Sequence, residues 1–129
     1  MRSLAPIPPG ETWLAHQPHI RVILELPITS QSPLGWQRQT EIMYDSTVHW
    51  KALINGSASV DLVGMAQRRA ILATYPSRTS FALLRRLHVD AVVLRLGWLS
   101  ASQRRAAQAA CHVAYRDHAE EICIGPWRT

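Results

Sequence analysis

Glu25, Asp45, His49, Lys51 and Asn55 have the side-chain types from which a reactive site could be built. A carboxylate beside an imidazole can take up and return a proton, so Glu25 or Asp45 with His49 would suit a small hydrolase or transferase. Neither a nucleophile motif nor a phosphate loop accompanies them, and metal-ligand spacing is missing too. The preferred reading is therefore structural: His49 and Asn55 hydrogen-bond irregular backbone that no ladder reaches. Trp50 and Trp36 could each stack on a sugar ring, although single tryptophans more often serve as core or rim residues.

Other residues add little chemistry. His16, His19, His88, His112 and His118 lack the H-x-x-x-H and H-E-x-x-H spacings, so no metal site is expected. Gly56, Gly64 and Gly97 form no dinucleotide fingerprint, and no cofactor is expected. Cys111 and Cys123 are too few for a metal motif. One disulfide between a helix and the next strand is conceivable, but two buried thiols are preferred.

The elements that must position these residues begin with residues 1–10, whose Pro6, Pro8 and Pro9 mark an irregular lead-in. Residues 11–129 then form a single domain, since 129 residues can bury one core. A short helix over Glu11–Gln17 should put Trp13 and Leu14 on the core. His19–Pro27 (HIRVILELP) reads as a strand in which Ile20, Val22, Leu24 and Leu26 alternate and Glu25 points away from the main core face. Thr29–Gln39 reads as a loop and Thr40–Thr47 as a second strand centred on Ile42, Met43 and Tyr44. Val48–Ser59 reads as an ordered loop turning at Asn55-Gly56.

Asp61 is a candidate cap for a helix that ends near Tyr75-Pro76, and a further helix begins near Ser80 with Phe81, Leu84 and Leu87 on one face. Val89–Leu94 resembles a buried parallel strand. Ser100 with Gln103 makes a capping box for a helix carrying Ala106, Ala110, Val113 and Ala114, expected to pack closely on the sheet. Ala119–Ile124 is the last strand. The order predicts an α/β fold: a small layered sheet, largely parallel, with flanking helices, and with Ile20–Leu26 and Asp90–Leu94 as neighbouring central strands.

The formal charge of +5 comes almost wholly from arginine, including the pairs Arg68-Arg69, Arg85-Arg86 and Arg104-Arg105. Each pair sits in a helix-like segment beside apolar positions, as on a solvated helix face, and nucleic acid is an unlikely partner. No stretch approaches the about 20 apolar residues of a spanning helix, and residues 1–10 lack the apolar core of a signal peptide. On those grounds a chain expressed alone is expected in the cytoplasm.

Three segments resemble the C-terminal extramembranous regions of bacterial polytopic membrane glycosyltransferases of the dolichyl-phosphate-mannose-protein mannosyltransferase-like group. Trp13-Leu14-Ala15 with Val22–Pro27 (VILELP) is similar to the family's WLA and VLELP elements. Tyr44–Gly56 (YDSTVHWKALING) is similar to Y-x-S-T-x-H-W-K-P-L-V-N-G-Y-S-G, with Ala52 for the proline and Ser57-Ala58-Ser59 for Tyr-Ser-Gly. Tyr75-Pro76, Leu84–Leu87 and Val89–Val93 resemble F-P, L-x-x-L and G-V-x-Y-V-V-V.

The resemblance implies a non-catalytic accessory domain on the extracytoplasmic face of the bacterial inner membrane. Its partner would be a membrane-embedded glycosyltransferase portion, in cis or as a separate chain, that uses a polyprenyl-phosphate sugar; the domain itself could meet that donor or a glycan. The family's catalytic acids lie in an early loop that has no counterpart in this sequence. Glu25, Tyr44, Asp45, His49, Trp50, Lys51 and Asn55 are then candidate binding residues. The alternatives are a free-standing carbohydrate- or protein-binding module, and the small hydrolase or transferase described above.

Overall fold

The computed structural model describes residues 6–28, 33–54 and 65–127. It is an α/β protein whose sheet has the strand order β2-β1-β3-β5-β4. Strands β1 (Val22–Leu26), β2 (Ala52–Leu53) and β3 (Ala91–Arg95) run parallel; β5 (Glu120–Cys123) is antiparallel to β3, and β4 (Val113–Arg116) antiparallel to β5. The two apolar runs are adjacent and central as expected, paired from Ile23↔Ala91 to Leu26↔Leu94. Strand β3 is buried at every position.

Side chains alternate across a strand, so each face collects every second residue. Leu24, Leu26, Val92, Leu94 and Cys123 pack with Leu72, Leu83, Leu84, Ala107 and Trp127 on the face served by α3 (Met65–Leu72), α4 (Arg78–Arg86) and α5 (Ala101–Ala109). Ile23, Ala91, Val93 and Ile122 pack with Leu14 of α1 (Pro9–Ala15) on the other. Helix α1 starts inside the expected lead-in, with proline in its first turn, where a missing N–H costs nothing.

Several expectations are corrected. Thr40–Thr47 is not a strand: Pro33–Asp45 forms helix α2, followed by a short 3-10 turn over Ser46–Val48. Its buried residues Gly35, Ile42 and Asp45 recur at helical spacing, and Gln, Arg, Glu and Met favour a helix over the isolated Ile-Met-Tyr run. The alanine-rich helix ends at Ala109, and Val113 and Ala114 belong to β4; of this helix only Ala107 is buried, so its packing on the sheet is light. The Ser100–Gln103 capping box is present. The expected turn at Asn55-Gly56 and the cap at Asp61 lie outside the described residues.

Cys111 and Cys123 form a disulfide, which corrects the expectation of two thiols. It ties the start of the β4–β5 hairpin to the end of β5, an arrangement that requires Val113 to be in a strand and not in the preceding helix.

Candidate functional site

On the α1 face Ile23 is level with Ala91 and Glu25 with Val93 and Ile122, and one step further along Arg95 is level with Glu120. Glu120 is paired directly with Arg95 across the β3–β5 ladder. A charged row therefore lies at the carboxyl ends of the central parallel strands, where ligands of open α/β sheets commonly bind. Glu11 of α1 covers the row from above, and Gly10 beside it lets the helix approach: a Cβ there would collide with Glu120 Oε1.

Arg95 organises the cluster. Its Nε donates to Glu25 Oε1 at 2.5 Å and its Nη1 to Asp45 Oδ2 at 2.7 Å. Glu11 Oε1 lies 4.0 Å from Nη2, and Glu120 Oε2 lies 3.9 Å from Nε. His49 completes the group: its Nδ1 accepts from the Lys51 N–H at 3.0 Å, so Nε2 carries the proton and faces Glu11 Oε1 at 3.3 Å. The side chains of Glu11, Glu25, Glu120 and His49 are all almost completely shielded from solvent.

With several carboxyls around one guanidinium, protons must balance the rest of the charge. Burial pushes Glu120 up to about 10, reinforced by the charge of Glu11 and a hydrogen bond with it. Burial also pushes Glu25 well above the carboxylate range, with Glu11 adding to the rise against Arg95. Glu11 goes the other way: burial would raise it, but hydrogen bonds to His49 and Glu120 and the Arg95 charge hold it below its usual value. Asp45 is raised by burial, which its bond and attraction to Arg95 only partly offset. Arg95 itself resists burial and stays charged because Glu25, Glu11 and Asp45 surround it.

Above the cluster opens a pocket of about 410 Å³, to which α2 contributes Glu41, Tyr44 and Asp45 and the segment after β3 contributes Gly97 and Trp98. Arg95 and Glu120 line it, as do His118 and Pro8. The guanidinium carbons of Arg38 and Arg95 stand 5.1 and 4.9 Å from the Trp98 ring centroid, so cation–π contacts fix that indole as a wall.

The candidates from sequence are thus partly reunited. Glu25, Asp45 and His49 meet around Arg95 and Glu11; Glu25 does point away from the main core face, on which Leu24 and Leu26 lie, and is fully buried on the α1 face instead of reaching solvent. Tyr44 is 42% exposed at the pocket. Trp50 projects into solvent from a left-handed backbone, φ 54°. Lys51 donates from Nζ to Gln17 O at 2.8 Å and belongs to the scaffold. Asn55 lies outside the described residues.

Glu11, Arg95, Glu120 and Trp98 were missed. The available signal was a charged residue at an inward position of a strand buried on both faces, as in Val93-x-Arg95 and Glu120-x-Ile122.

Ligand atoms of Glu11, Glu25 and His49 lie within 4.8 Å of one another, the spacing of a metal site, and the Arg95 guanidinium brings positive charge to the same carboxylates. Cys111, Glu121 and Cys123 also converge, with both sulfurs bonded to each other. Comparison with protein-family models, curated proteins and solved structures finds no match to this chain.

Proposed function

We propose that the chain is a non-catalytic accessory domain, held on the extracytoplasmic face of a bacterial membrane beside a polyprenyl-phosphate-sugar glycosyltransferase. The observation that carries the non-catalytic half is the use made of Glu25, Asp45 and His49. Glu25 and His49 are spent on Arg95 and Glu11 inside the fold, and Asp45, at the pocket wall, is tied to Arg95 with no imidazole beside it, where an acid/base pair would instead have to face a substrate together. The compartment is supported by the Cys111–Cys123 disulfide, because such bonds persist where the surroundings are oxidising. The resemblance to the glycosyltransferase tails also falls on connected structure: its segments supply β1, the stretch from the end of α2 into β2, and the approach to β3.

The purified chain is expected to transfer no sugar from polyprenyl-phosphate donors. Transfer above a no-protein control would restore Glu25, Asp45 and His49 as catalytic candidates. The coding sequence directly upstream should carry several membrane spans, and the chain should co-purify with that product from detergent extracts. A soluble, unrelated neighbour with no co-purification would favour the free-standing binding module, the reading to which the open pocket also lends itself.

A further inference from the structure

We propose that the pocket between the end of α2 and the segment after β3 binds a saccharide, with Tyr44 as its aromatic platform. The assignment deepens the accessory reading by naming what the domain would hold. The pocket's volume, about 410 Å³, falls in the range of small-ligand sites, and it lies at the carboxyl ends of parallel strands.

Its polar groups demand a ligand that both donates and accepts. Arg95, only 6% exposed, keeps Nη2 without a hydrogen-bond partner. Glu120, 1% exposed and hydrogen-bonded to Glu11, closes the floor of the pocket beside it. Glu41 and Asp45 add acceptors, and His118 also lines the pocket. With a guanidinium, carboxyls and an imidazole on its wall, the pocket suits a ligand that can do both. Sugar hydroxyls do so in both directions, since each donates one hydrogen and accepts through its lone pairs.

The other ligand classes fit less well. A phosphate would meet Glu41 and Asp45 as well as Arg95, and a wholly apolar molecule would bury the polar groups without pairing them. Trp98 is already engaged by two guanidinium groups, which leaves Tyr44 as the exposed ring on which the C–H face of a sugar can lie.

The test is amide NMR titration of the full chain with methyl α-mannoside, methyl β-glucoside, N-acetylglucosamine and, separately, inorganic phosphate. At least one sugar should give saturable shifts at Tyr44, Gly97 and His118 with Kd on the order of 1 mM, the strength expected for so small a ligand. Tyr44→Ala and Glu41→Gln should each weaken it about tenfold or more while leaving distant amides unmoved. No saturation by any sugar up to on the order of 100 mM, saturation indifferent to both variants, or tighter binding of phosphate than of every sugar would each overturn the assignment. Such a failure leaves the accessory reading standing, because that reading is decided by co-purification and by the transfer assay.

Discussion

Arg95, the last residue of β3, donates from Nε to Glu25 on β1, a strand 70 residues earlier in the chain. The pair joins the two central parallel strands at their carboxyl ends, and through Nη1 the same guanidinium reaches Asp45 at the end of α2. Replacing Arg95 with Met would keep much of its stem but leave the ionised Glu11 without its guanidinium and the oxygens of Glu25 and Asp45 without their donor. Breaking a buried pair by removing one partner costs about 3–5 kcal/mol. Denaturant melts of Arg95→Met should show a loss of that size, and a loss under about 1 kcal/mol would mean that the carboxyls simply take up protons.

His49→Ala should cost about 1–3 kcal/mol, since it removes the acceptor of the Lys51 N–H and the donor facing Glu11. Trp50→Ala, one residue further on, should stay within about 0.5 kcal/mol because that side chain is 79% exposed. Equal midpoints for the two variants would contradict the structural role assigned to His49.

These residues also show what could be read beforehand. Apolar runs such as VILEL and AVVLR identified the central strands, because burial on both faces leaves a continuous hydrophobic signature. The Ser100–Gln103 box was legible as local hydrogen-bond chemistry. Helix α2 was not, because Ile42 is its one large buried apolar side chain and the polar positions around it gave no stripe. Glu25, Asp45 and His49 were recognised as a group, but Arg95, Glu11 and Glu120 were not. Their convergence depends on strand register and on the approach of α1, long-range facts that no local spacing encodes.

Stability should fall as pH rises through neutrality. Glu120 binds its proton up to about 10 in the folded chain against 4.5 when exposed, and Glu25 is raised as well. Between those values Glu120 is protonated in the native state and ionised in the unfolded one, so it lowers stability by up to about 1.4 kcal/mol per pH unit, and Glu25 acts in the same sense. Glu11 and Asp117, whose values are lowered, act in the opposite sense and withdraw their contribution only on acidification below the carboxylate range. Urea midpoints from about pH 5 to about pH 9 should decline, and Glu120→Gln, neutral at every pH, should flatten the slope. A midpoint rising over that range would refute the protonated state of the cluster.

The disulfide spans a sequence separation of 12, so its loss should cost about 2–4 kcal/mol by releasing the unfolded chain. Intact mass of the chain recovered from an oxidising compartment should be lower by the two hydrogens lost when the bond forms. Free thiols there, or a Cys111→Ser and Cys123→Ser double variant as stable as the wild type, would remove the main support for the extracytoplasmic placement.

The end of α4 delivers the chain to β3 and hence to Arg95. His88 follows the helix in the left-handed region at φ 57°, and around it the Val89 N–H bonds Leu84 O at 3.0 Å and the His88 N–H bonds Arg85 O at 3.1 Å. That is the double bond pattern of a Schellman cap, whose left-handed position favours glycine because a Cβ there crowds the backbone. His88 is exposed, so its imidazole gives little packing in return. His88→Gly should therefore stabilise the fold by about 0.5–1 kcal/mol, the relief of strain outweighing the extra freedom of glycine in the unfolded chain. His88→Val should do the reverse, since a β-branched side chain is least tolerated at positive φ. Thermal melts that rank Gly above His above Val would establish that the cap is strained; a glycine variant less stable than wild type would show that the imidazole makes a contact worth more than the strain.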